Sequence, residues 1–385
     1  KKLALQKYEQ SIEYFNNSDP KSLTRDQQSE LLYLKGRAWW FLDQISKTEI
    51  AWQTYLIRSN SQNKEKDLNI KFQLASKFQL EKKYEKAENW FARVVNEHPD
   101  STLAIESSFW RAEMAYAAAI LQTDTTNLTK NSVKRLVNNY NLYIAKNDQT
   151  HLPLTYYRIG VLEQKNNPKR TIIAFQKYLA TKDKSYASEV QYGLAYLYIE
   201  NKEFKNAIQT FKKYLRNEDK TFTQDALYRL AYLYIETKNP KKAIETFKTY
   251  LKRGNGKYRG EIQIRLGYLY TQIKKPKEAI RFFNQYLSSK HKEYLVEAQI
   301  RLGYLYLGTK QQKKAVKIFE KYLSGKDKKH ILEVQIRLGY LYIETKQTKK
   351  AIKIFEKYLA SGDEVHAASI KIRLAFLYVE TKQNF

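Results

Sequence analysis

The chain has 385 residues, no Cys, 69 Lys and Arg against 40 Asp and Glu, and a formal net charge of +29. The missing thiols exclude disulfides, cysteine-ligated zinc and thiol catalysis. With 43% hydrophobic and 28% charged residues but only 12 Gly and 6 Pro, the composition excludes collagen and disorder and describes helices with short connections.

No uninterrupted apolar run of the length needed to span a bilayer occurs, and no basic start followed by an apolar run marks a signal peptide. The first residue is Lys1 and the single Met is Met114, so residue 1 reads as a processing site or an internal boundary, compatible with an export signal upstream.

Residues 1–150 read as an irregular front section. All five Trp (Trp39, Trp40, Trp52, Trp90 and Trp110) lie here, and an insertion falls near Leu121 to Ser132 (LQTDTTNLTKNS). Insertions in repeat arrays map to loops on one face. These individually fitted units are the expected place for a dedicated docking site.

Residues 151–385 read as a regular array. Arg229, Arg265, Arg301, Arg337 and Arg373 return every 36 residues, each followed by Leu and a small residue such as Ala231, Gly267, Gly303, Gly339 or Ala375. Such a period overrides a globular-domain reading, because units with one large apolar face stack and share a continuous core. The segment Glu261 to Gln272 is apolar nearly all round, as an inner helix between neighbours is. The segment Lys277 to Leu287 carries a single stripe of Ala279, Ile280, Phe283, Tyr286 and Leu287 and reads as an outer helix. Pro240 and Pro276 open such outer helices, where the missing amide hydrogen is tolerated. On the outer helices Ala207, Ala243, Ala279, Ala315 and Ala351 each precede by four residues Phe211, Phe247, Phe283, Phe319 or Phe355, and a Tyr-Leu pair follows three residues on.

These residues carry a resemblance. The pattern L-[GA]-x-x-Y, then A-x-x-x-F on a second helix, resembles the tetratricopeptide repeat; Leu74, Ala75, Phe78, Tyr84, Ala87, Phe91 and Pro99 show it most completely. The resemblance implies an all-α, right-handed superhelix of about nine antiparallel helix pairs starting near residues 29, 68, 103, 153, 189, 225, 261, 297 and 333, with a half-repeat at each end. Residues 369–385 would be an inner helix without its partner. Two departures stand out: the period is 36, not the family's 34, and Tyr214, Tyr250, Tyr286, Tyr322 and Tyr358 stand where many members have Ala. That combination is similar to bacterial periplasmic Tol-Pal coordinators and outer-membrane assembly lipoproteins. It implies a cell-envelope protein, with flagellar-motor or secretion assemblies as settings and the cytoplasm as the alternative.

By the same resemblance the inner helices line a concave groove displaying Tyr196, Tyr232, Tyr268, Tyr304, Tyr340 and Phe376. Two readings stay open for these rings: contacts for a peptide or partner helix, or packing between neighbouring inner helices. Arg229, Arg265, Arg301 and Arg337 also have two. They form acid-first i, i+4 pairs with Asp225, Glu261, Glu297 and Glu333, or they clamp carboxylates of an acidic partner.

Charge is uneven. Residues 1–150 hold 22 Lys and Arg against 18 Asp and Glu, whereas residues 201–350 hold 35 against 14. Much of this excess lies on outer helices, as with Lys313, Lys314, Lys317, Lys349, Lys350 and Lys353. They form either a solvated face or a convex basic ridge for an acidic protein, an anionic surface or nucleic acid. No nucleic-acid-binding motif is present, which disfavours base reading.

His98, His151, His291, His330 and His366 are dispersed, and no metal-binding, nucleophile-elbow, phosphate-loop or dinucleotide pattern occurs. The expected function is therefore a non-catalytic protein-binding scaffold without cofactor or metal. An electrostatic adaptor or the regulatory arm of a larger enzyme are the alternatives, peripheral membrane contact is compatible with the charge, and the oligomeric state is open.

Overall fold

The structure, a computed structural model, describes residues 2–59, 63–217, 221–254, 256–291, 293–325 and 330–382. Among these residues every regular element is helical, with twenty α-helices, two short 3-10 helices and no strand. Two compact units are present, Lys1–Leu197 and Tyr198–Phe385. The first holds α1 (Lys2–Asn17), α2 (Arg25–Phe41), α3 (Ile45–Ser59), α4 (Lys64–Leu80), α5 (Tyr84–Glu97), α6 (Thr102–Gln122), α7 (Lys130–Ile144), α8 (Leu152–Glu163), α9 (Pro168–Ala180) and most of α10 (Ala187–Glu200). The second holds α11 (Phe204–Tyr214), α12 (Thr223–Glu236), α13 (Pro240–Lys252), α14 (Arg259–Gln272), α15 (Pro276–Leu287), α16 (Leu295–Gly308), α17 (Gln312–Leu323), α18 (Ile331–Glu344), α19 (Thr348–Leu359) and α20 (Ala367–Lys382).

Consecutive helices pack as pairs: α2 with α3, α4 with α5, α6 with α7 and α8 with α9 in the first unit, then α12 with α13, α14 with α15, α16 with α17 and α18 with α19 in the second. The helices α10 and α11 cover the residues expected for the pair near 189. Helix α20 is the expected terminal inner helix, of which residues 383–385 lie outside the described residues.

The pairing follows from size matching. On α15, Ala279, Phe283 and Tyr286 are fully buried, and Phe283 fills the notch left by Gly267 on α14. A Cβ added to Gly267 would lie 2.6 Å from the Phe283 ring, and one on Gly303 would lie 2.3 Å from Phe319. The sequence pattern of small residue and Phe is thus a socket and its plug, at the packing density of a protein interior.

The link from one pair to the next is a hydrogen bond the expected pattern did not anticipate. The phenol oxygen of each outer-helix Tyr accepts the backbone N–H eight residues on, at the start of the following inner helix. The distances are 2.8 Å for Tyr214 and Phe222, 3.2 Å for Tyr250 and Tyr258, 2.8 Å for Tyr286 and Tyr294, and 2.9 Å for Tyr322 and His330. Phe222, Tyr258, Tyr294 and His330 are the N-cap residues of α12, α14, α16 and α18, and none caps with its own side chain. A helix start needs an acceptor for its amides, and the preceding repeat supplies it. The first unit uses the same device at Tyr143 with His151 (2.8 Å) and Tyr178 with Tyr186 (2.7 Å).

Within a pair, α12, α14, α16 and α18 each end in a Schellman turn. Asn239 N–H reaches Tyr234 O at 2.7 Å and Lys238 N–H reaches Ile235 O at 2.9 Å, which puts Lys238 at φ 56°. Lys274, Lys310 and Lys346 repeat this left-handed conformation at φ 55°, 57° and 56°. A lysine there strains the backbone, partly offset by the ammonium lying near the helix's carbonyl end.

In the front section Trp52 and Trp90 build core, and the partly buried Trp40 and Trp110 pack against it. Trp52 is 1% and Trp90 4% exposed, and their indole N–H groups donate to Tyr33 O at 3.1 Å and Glu49 Oε1 at 3.2 Å. Lys71, itself buried, donates to Glu97 at 2.6 Å and meets His98 Nε2 at 3.1 Å. Burial and the neighbouring Lys71 charge lower the His98 pKa, keeping the imidazole a neutral acceptor.

Two consequences are measurable by urea denaturation with hydrogen exchange as local readout. Tyr286→Phe leaves the Tyr294 amide without its acceptor and should cost about 1–3 kcal/mol, concentrated as faster exchange at the start of α16. Lys274→Gly relieves the left-handed strain and should stabilise by roughly 0.5–1 kcal/mol.

Candidate functional site

The inner helices of the second unit present one repeated constellation. Tyr232, Tyr268, Tyr304 and Tyr340 are half-buried, and each ring stands edge-on to the Phe of its own outer helix. The centroid distances are 5.6, 5.6, 5.8 and 5.5 Å for the pairs with Phe247, Phe283, Phe319 and Phe355. The hydroxyl ends point to the next inner helix. Tyr232 donates to Glu261, Tyr268 to Glu297 and Tyr304 to Glu333. Burial and these carboxylates push all three phenols up to about 12, so they stay donors at neutral pH.

The arginines of the next repeat lie over the same rings. Arg265, Arg301, Arg337 and Arg373 place their guanidinium carbons 5.7, 5.4, 5.9 and 5.8 Å from the centroids of Tyr232, Tyr268, Tyr304 and Tyr340. Arg265 Nε also donates to Tyr232 Oη at 3.0 Å. Cation–π contact of this kind holds a guanidinium in place while leaving its edge in solvent, and all four arginines are exposed.

This arrangement corrects the expected i, i+4 ion pairs. Asp225 and Arg229 do pair, at 3.6 Å. Among the described residues Glu261 with Arg265, Glu297 with Arg301 and Glu333 with Arg337 do not close to ion-pair distance. The phenol of the preceding repeat takes the carboxylate, and its ring takes the guanidinium. The rings therefore pack between inner helices and also shape the exposed face. Tyr196, in the first unit, is half-buried and accepts a hydrogen bond from Tyr192 at 3.2 Å.

Cavities recur at the junctions. Between α16 and α18 one of about 460 Å³ is lined by Ile300, Arg301, Tyr304, His330 and Glu333. Between α18 and α20 one of about 430 Å³ is lined by Ile336, Arg337, Tyr340, His366 and Ser369. The two sets are 36 residues apart position by position.

On the opposite side of the pairs, Lys313, Lys314, Lys317, Lys349, Lys350 and Lys353 are all exposed. Lys350 pairs with Glu320 at 3.1 Å and lies 5.3 Å from the Tyr342 centroid; Lys314 donates to Gln311 at 2.9 Å.

Two features escaped the sequence reading. In the first unit Arg158 makes a two-pronged contact with Glu113, at 3.2 Å on each prong, and lies 4.2 Å from the Tyr116 centroid. This is the same Tyr and Arg geometry, with Arg158 two residues before Gly160 as Arg265 is before Gly267; that offset was the available signal. The insertion after α6 borders a polar cavity of about 450 Å³ with Glu88, Gln122, Asn127, Ser132 and Arg135 among its walls. Among the described residues no group of three or more His, Asp or Glu is placed to hold a metal ion, and no helix is long and apolar enough to cross a membrane.

Family models for the tetratricopeptide repeat match residues 188–220, 225–253, 260–291, 296–324 and 332–361. No curated protein matches the chain as a relative. Among solved structures, the chain is similar in fold to one of Naa15/Naa10 bound to HypK-THB, at 14% identity and a TM-score of 0.51 over 76% of this chain and 42% of that one. It also aligns with a MamA structure (23% identity, TM-score 0.37, 46% of this chain and 94% of that one). A third alignment is with YrrB, described as a TPR protein with an unusual peptide-binding site (18% identity, TM-score 0.36, 53% and 96%). Helix pairing, the Gly and Phe sockets and the family matches agree: residues 188–361 are a run of tetratricopeptide repeats.

Proposed function

We propose that the chain is a non-catalytic scaffold that binds segments of partner proteins along its inner-helix face. Tetratricopeptide arrays are protein-interaction scaffolds, and the observation that carries the reading here is the recurrence of junction cavities, position for position, with an exposed Arg beside each. Packed helices lie about 8–10 Å apart, and an extended chain advances roughly 3.3 Å per residue. One cavity thus meets about every third residue of an extended segment. Guanidinium groups held over aromatic rings present their donors to carboxylates, which favours a partner segment containing acidic residues.

The proposed setting is the bacterial cell envelope, supported by the F-x-x-Y-L outer helices and the cysteine-free composition. The exposed lysines of α17 and α19 favour a second reading, an adaptor for a polyanionic surface.

A peptide array drawn from the host's envelope proteins, followed by titration in solution, tests both readings. Replacing Arg265, Arg301 and Arg337 together by Ala should weaken a captured segment at least tenfold, about 1.4 kcal/mol, while helical content is retained. Replacing Lys313, Lys317, Lys349 and Lys353 by Ser should leave its affinity within twofold. The opposite pattern, with affinity falling steeply as salt rises, would establish the polyanion adaptor instead.

A further inference from the structure

The repeats contain filled and unfilled copies of one site, and the filled copies identify the ligand. At three successive junctions a carboxylate from the first turn of the next inner helix lies against the phenol of the preceding one: Glu261 on Tyr232, Glu297 on Tyr268 and Glu333 on Tyr304. The last of these is the most complete. Glu333 Oε1 accepts from Tyr304 while Oε2 lies 3.7 Å from His330 Nδ1, and Arg337 lies over the Tyr304 ring.

At the next junction the same surroundings return without the carboxylate. Tyr340 takes the place of Tyr304, His366 that of His330 and Arg373 that of Arg337, with Arg373 5.8 Å from the Tyr340 centroid. The residue in the place of Glu333 is Ser369. Its hydroxyl is turned back to donate to the carbonyl of His366, the residue just before its own helix, at 2.9 Å. Among the described residues Tyr340 Oη has no hydrogen-bond partner, unlike Tyr304, and Arg373, like Arg337, forms no ion pair. The nearby carboxylates are committed elsewhere, Glu333 to Tyr304 and Asp363 to Tyr358 at 2.9 Å. A cavity of about 430 Å³ opens where the side chain is missing.

We propose that this junction, formed by Tyr340, His366 and Arg373, is a binding site for a carboxylate supplied by a partner protein. The partner's carboxylate takes the place that Glu333 holds one repeat earlier. It accepts a hydrogen bond from the Tyr340 phenol and lies beside the Arg373 guanidinium. The site deepens the scaffold reading and rests on it: the inner face holds partner segments, and this junction fixes their register by a charged contact because its phenol is open, whereas the phenols of the three preceding junctions are satisfied internally. Charge-assisted hydrogen bonds of this kind are about twice as strong as neutral ones.

The full chain can be tested by fluorescence polarisation with two labelled twelve-residue probes. One is amidated at its C-terminus and carries two central Glu; the other has Gln in their place and a free C-terminal carboxylate. Binding of either probe to the unmodified chain should fall about tenfold in Arg373→Ala and severalfold in Tyr340→Phe, and the probe that binds identifies the source as a side chain or a chain end. Ser369→Glu restores the internal carboxylate, so it should abolish probe binding while raising the urea midpoint, an outcome a folding defect cannot imitate. The proposal is overturned if neither probe binds, or if binding is equal in Ser369→Glu, Arg373→Ala and the unmodified chain. In either case a segment captured through Arg265, Arg301 and Arg337 would leave the scaffold reading standing.

Discussion

Register along the array depends on a buried phenol oxygen that accepts a backbone amide from the next repeat. Tyr214, Tyr286 and Tyr322 each sit at the bottom of an outer helix with their rings almost wholly removed from solvent. Each accepts the N–H of the residue that begins the following inner helix. The contact spans eight residues every time, so the length of the inter-repeat segment and the identity of the outer-helix residue are one constraint. A shorter loop would carry the amide past the phenol. An alanine would leave both the amide and the space unfilled, at the cost of a cavity as well as a lost bond. The two departures from the ordinary repeat, a period of 36 and Tyr in place of Ala, are therefore a single structural choice.

With register fixed, the inner face follows. A constant step places each Tyr of one inner helix under the Arg of the next, and the Glu one turn earlier within reach of the phenol. Each repeat uses its neighbour to neutralise its charges, which is why the acid-first i, i+4 pairs written in the sequence do not close in α14, α16 and α18. Local helix geometry offers such a pair a few tenths of a kcal/mol; a half-buried phenol that would otherwise lack an acceptor offers the carboxylate more. The tertiary contact wins over the local one.

The repeat, the helix boundaries and the small-residue and Phe sockets were legible in the sequence because each is a direct expression of period and size. Gly267 and Phe283 announce their contact by volume alone. The Tyr286 hydrogen bond was not legible, since its partner is a backbone amide that any residue carries; Phe222, Tyr258, Tyr294 and His330 share no side-chain chemistry to mark it. The Arg ladder was visible as a spacing, but its partners lie 33 residues away on the preceding helix, a distance no local rule reaches. The Trp-rich front section was visible as different. That Trp52 and Trp90 are core is a matter of burial, which indole chemistry does not reveal.

Repetition within one chain separates packing from recognition. At the outer-helix positions occupied by Ala279, Phe283 and Tyr286, each of the other repeats of the second unit carries the same residue, because each is enclosed and any change opens a void or a clash. The inner-face positions are partly exposed, so packing does not dictate them. At the carboxylate position α12 carries Asp225, the next three inner helices carry Glu and α20 carries Ser369, and Tyr gives way to Phe376 only in α20. A substitution at an enclosed position would have been compensated by its neighbours. The substitution at Ser369 is not: Tyr340 retains the donor that its counterparts spend on Glu, with the exposed Arg373 guanidinium over its ring. A donor kept without an internal acceptor, on a face that water and other proteins can reach, marks where the array's own chemistry stops and a partner's begins.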